Sequence, residues 1–79
     1  MLMTNLTALL KLRFPAAVIR EGDETLQVGS FPEWDSLANF DFLMSVEERF
    51  NVRFSVDEMA ELKSLADVTK ALRAQGVNE

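Results

Sequence analysis

Apolar residues between Ser36 and Phe50 recur at the three- and four-residue spacing of an α-helix, and this pattern constrains the fold more than any other feature. With about 100° per residue, one broad apolar face contains Ala38, Phe42, Leu43, Val46 and Phe50. A second apolar stripe, which we call the ridge, contains Leu37, Phe40 and Met44. A helix with two apolar faces either lies inside a bundle or shows one face to another molecule.

The remaining segments predict three further helices. The spacing of leucines predicts a first helix at about 5–14, with Thr4 or Asn5 as its N-cap and Pro15 at its end. Two serine caps follow. Ser55 begins a short helix that runs to about Leu62, and Ser64 begins a last helix that Gly76 stops.

Residues 15–35 hold both prolines and two of the three glycines, which predicts a long loop whose apolar side chains (Val18, Ile19, Leu26, Val28 and Phe31) lie on the core. No segment shows the alternation of a strand. The sequence therefore predicts an all-α bundle of three main helices and one short helix, with the long loop between the first and second helices. We expect a single domain over 1–79 with its core at about 5–75.

The chain has neither cysteine nor histidine, and these absences exclude much chemistry. Without cysteine there is no disulfide, no thiolate zinc site and no thiol nucleophile. Without histidine the usual general base at neutral pH and the commonest metal ligand are missing. The acids cluster on one helix and one loop rather than facing each other across a cleft. We expect no enzyme, no catalytic residue and no metal site.

The charge is concentrated in one segment. Thirteen acids and eight bases give a net charge of −5, and eight of the acids lie between Glu21 and Glu48, where there is no lysine or arginine. This sign argues against nucleic acid and favours basic protein partners, although a purely solubilising face would carry the same charge. We see no signal peptide and no apolar run that could span a membrane, and expect a cytoplasmic monomer.

Ser36 has two interpretations. As an N-cap it would be a structural residue in front of the helix. Asp35 is the better placed cap, however, and Ser36 is then the first helical residue with a free hydroxyl. A phosphate on that oxygen would lie at the positive end of the helix dipole.

The segment Asp35-Ser36-Leu37 after a long loop, followed by Phe42-Leu43-Met44 and by the run from Val46 to Val52, resembles the acyl carrier proteins, and the similarity covers about residues 6–74. The resemblance implies that Ser36, beside Asp35, is the attachment site of 4′-phosphopantetheine. A phosphopantetheinyl transferase would supply this group from coenzyme A, and its thiol would carry acyl groups as thioesters.

The resemblance also implies a partner surface on the second helix, which would face basic patches on acyl-loading and acyl-accepting enzymes. By position it consists of Asp35, Leu37, Phe40, Asp41, Met44, Glu47 and Glu48. Glu33 stands where the family often has glycine, Ala38-Asn39 lack the family's acid, and Phe40 is bulkier than usual. These departures favour a specialised carrier in fatty-acid-like, polyketide, lipid or surface-polysaccharide biosynthesis.

Two other functions compete with the carrier. In the first, the chain is an unmodified acidic helical protein–protein interaction module in which Ser36 is only a cap. In the second it is a small hydrolase that uses Ser36, but no residue in the sequence would activate the hydroxyl.

Overall fold

Four helices follow one another in the computed structural model, which describes residues 2–78. They are α1 (Leu2–Arg13), α2 (Ser36–Phe50), α3 (Val56–Glu61) and α4 (Leu65–Ala74). Within residues 2–78 no strand forms, and the only β-type pairing is an isolated bridge between Gln27 and Ser64. The predicted all-α fold, with its short third helix and long first connection, is confirmed. The ends of the predicted domain, Met1 and Glu79, lie outside the described residues.

The first helix begins earlier than the sequence predicts. Leu2 is buried together with Leu6 and Leu10, so the four-residue apolar spacing extends back to the first turn and holds it against the core. The predicted caps, Thr4 and Asn5, therefore lie inside α1, and that prediction was wrong. At the other end α1 stops at Arg13, two residues before Pro15, in accord with the predicted stop.

The second helix has the predicted bounds, because both of its ends are capped. Asp35 accepts a hydrogen bond at 2.8 Å from the Ala38 N–H through its carboxylate. Asn51 ends the helix in the left-handed conformation, with φ 55° and ψ 49°, and donates its N–H to the Glu47 carbonyl. The predicted apolar face is buried except at Ala38, which is half-buried.

The core forms where α1 packs against both α2 and α4. Each of these helices contributes a stripe of fully buried side chains, namely Leu2, Leu6 and Leu10 from α1, Phe42, Leu43 and Val46 from α2, and Leu65, Val68 and Leu72 from α4. In contrast, α3 buries none of its six residues. Only Met59 of the short helix packs against the core, and it does so while partly buried.

The connection between α1 and α2 is fastened to the helices along its length. The Gly22 N–H donates to Thr7 Oγ1 of α1 at 3.2 Å. The Val28 N–H donates to the Lys63 carbonyl at 2.7 Å, and the Leu65 N–H donates to the Leu26 carbonyl at 3.0 Å. These bonds tie the connection to α1 and to the link between α3 and α4, which explains how so long a segment without regular structure packs in a small domain.

Aromatic rings anchor the same connection to the core. Trp34 is almost fully buried, and its ring centroid lies 5.9 Å from that of Phe42 in an edge-to-face arrangement. Phe31 lies 5.7 Å from Trp34 and 5.2 Å from Phe14. The expected packing of the connection is confirmed for Ile19 and Leu26, which are buried, and for Val28 and Phe31, which pack against the core while partly buried. Val18 is almost wholly exposed, so that part of the prediction was wrong.

The last two helices begin at their predicted serine caps. Ser55 and Glu58 form a reciprocal capping box at the start of α3. Ser64 Oγ accepts the Asp67 N–H at 3.0 Å at the start of α4. Gly76, with φ 89°, follows the end of α4, as predicted. In residues 2–78 no helix combines the length and the apolar character needed to cross a membrane.

Candidate functional site

Ser36 is an exposed residue whose hydroxyl has no structural task. It is the first residue of α2, and the cap that a serine often supplies comes from the Asp35 carboxylate instead. Among the residues that the structure describes, none forms a hydrogen bond with Ser36 Oγ. The prediction that Asp35 is the cap is confirmed, and it leaves the Ser36 oxygen accessible to another molecule.

The local field at Ser36 favours a negatively charged substituent. α2 has 15 residues, and its N-terminal N–H groups give this end a partial positive charge. The first turn of α2 contains no acidic residue, but the Asp35 carboxylate at the N-cap accepts the Ala38 N–H and offsets part of that charge. The N–H groups of the first turn that Asp35 does not bond still favour a negatively charged substituent on Ser36 Oγ.

A shallow pocket of about 250 Å³ opens beside Ser36, between α2, α3 and the connection. Its lining consists of Val28, Ser36, Asn39, Phe40, Met59, Ala60 and Lys63. Most of these side chains are apolar, and Lys63 is the one base among them. A flexible arm that starts at Ser36 thus has an adjacent apolar surface and one cation within the same pocket.

The ridge on α2 is narrower than the sequence predicts. Leu37 is 78% exposed and Met44 is 51% exposed, as expected for side chains that present an apolar surface. Phe40 is half-buried, and it lines the pocket beside Ser36 together with Met59 of α3. Leu37 and Met44 therefore form the outer ridge, and Phe40 belongs as much to the pocket as to the surface.

The three acids that flank the ridge are not equivalent. Asp41 forms an ion pair with Arg13, with 2.9 Å between its Oδ2 and the arginine Nη2. Glu47 is half-buried and accepts the Phe54 N–H at 2.7 Å through its Oε2. Glu48 is exposed. Of these three predicted partner-surface acids, only Glu48 has neither an ion pair nor a backbone hydrogen bond among the described residues.

A larger open groove of about 550 Å³ lies at the C-terminal end of α2. It is lined by Met44, Glu47, Glu48, Asn51, Val52, Arg53 and Gln75. Gln75 at the end of α4 donates from Nε2 to the Arg53 carbonyl at 2.9 Å, which joins the two sides of this groove. Sequence reasoning found Met44, Glu47 and Glu48 but missed Arg53 and Gln75, because no short-range pattern relates residues that lie 22 positions apart.

Asn39 is the residue near the site that sequence reasoning most clearly missed. It is only 5% exposed, and its Oδ1 accepts the Trp34 indole N–H at 3.0 Å. Its Nδ2 donates to the Leu62 carbonyl at 2.8 Å. Asn39 thus joins the connection, α2 and the residue after α3. Its angular position among the buried residues of α2 was a signal that could have found it.

Residues 2–78 contain no group of three or more acids that could hold a metal ion. Comparison with protein-family models, with curated proteins and with solved structures gives no match to this chain. The resemblance to acyl carrier proteins therefore stays a prediction.

Proposed function

We propose that this chain carries acyl groups as thioesters on a 4′-phosphopantetheine arm attached to Ser36, and that it delivers them to partner enzymes. The observation that carries the proposal is the free hydroxyl of Ser36. It lies exposed at the start of a helix whose cap is supplied by Asp35, next to a mainly apolar pocket. A serine that only capped the helix would have its oxygen bonded to the N–H groups of the first turn.

The residues around Ser36 fit such an arm. Its phosphodiester would lie at the N-terminal end of α2, and Lys63 lines the pocket that adjoins Ser36. Val28, Phe40 and Met59 offer apolar contacts to the rest of the arm. The thiol of the attached group supplies the sulfur chemistry that a chain without cysteine lacks.

The attachment step requires a separate enzyme. A bond forms between Ser36 Oγ and the pantetheine phosphorus while the pyrophosphate bond of coenzyme A breaks, and the nucleotide leaves with the bridging oxygen. In this proposal the proton of the hydroxyl passes to a base of the transferase, which acts as the general base. The chain's own part is to present the oxygen, which accords with a carrier that is not itself an enzyme.

Partner enzymes would dock on α2 beside Ser36. The outer ridge of Leu37 and Met44 supplies exposed apolar surface, and Glu48 supplies an unpaired negative charge next to it. Apolar anchors mainly set how long a complex lasts, whereas exposed charges mainly raise the rate of association. Acyl-loading and acyl-accepting enzymes with basic patches are the class of partner that fits this surface.

The intact mass of the chain tests the proposal. After incubation with coenzyme A and a broad-specificity transferase, the mass is expected to rise by one phosphopantetheine. The Ser36→Ala variant is expected to show no gain, whereas the Ser45→Ala variant, which removes a hydroxyl from the same helix, is expected to be modified like wild type. If a transferase that is active on another carrier leaves this chain unchanged, the carrier proposal is wrong, and the unmodified interaction module is the alternative to test next.

A further inference from the structure

Arg13 brings a positive charge onto the face of α2 that bears the ridge. It is the last residue of α1, and its Nη2 lies 2.9 Å from Asp41 Oδ2. Its guanidinium carbon also lies 5.4 Å from the ring centroid of Phe14. Two contacts therefore orient a side chain that would otherwise move freely, and its side chain remains 39% exposed.

The ion pair changes the charge pattern along the helix. Leu37, Asp41, Met44 and Glu48 follow one another at spacings of four, three and four residues, so they form one stripe on α2. Asp41 and Glu48 are seven residues apart, which is about 10 Å along the helix axis. Because Arg13 offsets the charge of Asp41, the negative charge of this stripe lies at the Glu48 end.

Arg13 also keeps most of its hydrogen-bonding capacity. A guanidinium group has five N–H donors, and the bond to Asp41 uses one of them. The remaining donors match a second carboxylate, which can accept two of them at once. A lysine or arginine of a partner would instead approach an Asp41 carboxylate that is exposed but already paired with the Arg13 guanidinium at 2.9 Å.

We infer that Arg13 is a specificity-determining residue of the docking surface. It selects partner enzymes that present a carboxylate opposite Arg13 and a base opposite Glu48, about 10 Å apart along α2. A partner whose docking face carries only bases binds less well. This inference rests on the proposed carrier function, since it concerns the enzymes that reach Ser36.

The test uses two forms of a phosphopantetheinyl transferase. One is a transferase whose docking face carries only bases opposite the carrier helix. The other is a variant of the same transferase. In this variant the base that would face Arg13, about 10 Å from the base that faces Glu48, is replaced by glutamate. The kcat/KM of modification is measured with wild type, with Arg13→Gln and with Lys11→Gln. The last variant is the matched control, because it removes one positive charge from the same helix at an exposed residue that forms no ion pair in the described part of the chain.

With the all-basic face, Arg13→Gln is expected to raise kcat/KM at least about twofold at low salt, and by a larger factor than Lys11→Gln. With the glutamate-bearing face, the kcat/KM of Arg13→Gln is expected to be lower than that of wild type. Both differences are expected to shrink as salt rises, because exposed charges are screened over about 8 Å at physiological ionic strength.

Two results would overturn the inference while leaving the carrier function intact. One is an Arg13→Gln variant that behaves like Lys11→Gln with both transferases. The other is slower modification of Arg13→Gln by the all-basic face. If neither transferase modifies the wild-type chain, the proposed function itself fails, and the inference fails with it.

Discussion

Asp35 and Ser36 are adjacent residues with separate tasks at the start of α2. Asp35 accepts the Ala38 N–H and so satisfies the helix end, whereas Ser36 Oγ makes no hydrogen bond within residues 2–78. If Ser36 is modified as we propose, this division would leave the cap of the helix in place. It also predicts that substitutions at the two neighbours have different effects on stability.

Asp35→Ala is expected to lower the free energy of unfolding by about 1 kcal/mol, because the first turn of α2 loses its cap. Ser36→Ala is expected to lower it by less than about 0.5 kcal/mol, as for other exposed residues without partners. Urea unfolding of both variants, with Asp35→Asn as a control that keeps a capping oxygen, measures the difference. A larger loss for Ser36→Ala than for Asp35→Ala would mean that the serine is the structural residue.

Asn39 is a second residue whose effect on stability follows from its hydrogen bonds. Asn39→Ala would leave the buried Trp34 indole N–H and the Leu62 carbonyl without their partner, and we expect a loss of about 2–4 kcal/mol. Trp34→Phe removes one donor of the same pair. In thermal unfolding, the variant with both substitutions is expected to lose less stability than the sum of the losses of Asn39→Ala and Trp34→Phe. Simple additivity would show that the two side chains do not act together.

At the scale of elements, the sequence predicted best what local signals determine. The bounds of α2 were predictable because apolar residues recur at helical spacing between the N-cap Asp35 and the C-cap Asn51. The start of α1 was missed because Thr4 and Asn5 are residue types that often cap helices, and these cap signals were given more weight than the four-residue spacing of Leu2, Leu6 and Leu10. The attachment of residues 14–35 was equally out of reach, since it depends on backbone bonds such as that from Val28 to Lys63.

In the candidate site too, features set by adjacent residues were predictable, and contacts with distant parts of the chain were not. Asp35, Ser36 and Leu37 were identified correctly in their local roles, because capping and exposure at a helix start follow from adjacent residues. The states of Asp41 and Glu47 were not predictable, since their partners Arg13 and Phe54 come from other parts of the chain. The angular position of an acid on a helix indicates which face it lies on, but not which residue of another segment pairs with it.

The short helix α3 depends on a side chain of α2 at its entry. Glu47 accepts the Phe54 N–H just before the capping box of α3, and none of the six residues of α3 is buried. Glu47→Ala is expected to cost about 1–2 kcal/mol, because a partly buried N–H loses its acceptor. Glu48→Ala, its exposed neighbour, is expected to stay within about 0.5 kcal/mol of wild type.

Amide hydrogen exchange gives a local readout of the same change. Glu47→Ala is expected to speed exchange at the Phe54 amide and through α3 more than in the core of α4. Equal behaviour of the Glu47 and Glu48 variants would show that the bond from Phe54 does not hold α3. Because of this structural role, Glu48 rather than Glu47 is the position at which docking charge can be altered without disturbing the fold.

At the scale of the whole molecule, 79 residues leave little reserve of stability. A domain is stabilised by about 0.05–0.15 kcal/mol per residue, and truncation of a buried phenylalanine costs about 3–5 kcal/mol. Phe42 is fully buried and contacts Trp34, while Phe50 lies at the edge of the core and is 9% exposed. Phe42→Ala is therefore expected to unfold at a lower temperature than Phe50→Ala, and both below wild type. Unchanged melting of either variant would show that the apolar face of α2 is not the core.

The central claim is that Ser36 carries the chain's cofactor, and fragmentation mass spectrometry of the modified protein tests it most directly. Trypsin releases the segment from Glu21 to Arg49 as one peptide, since it contains no internal lysine or arginine, and this peptide includes Ser30, Ser36 and Ser45. After modification by a transferase with coenzyme A, the fragment ions are expected to locate one phosphopantetheine on Ser36. A group found on Ser30 or Ser45, or no gain from a transferase that is active on another carrier, would contradict the claim.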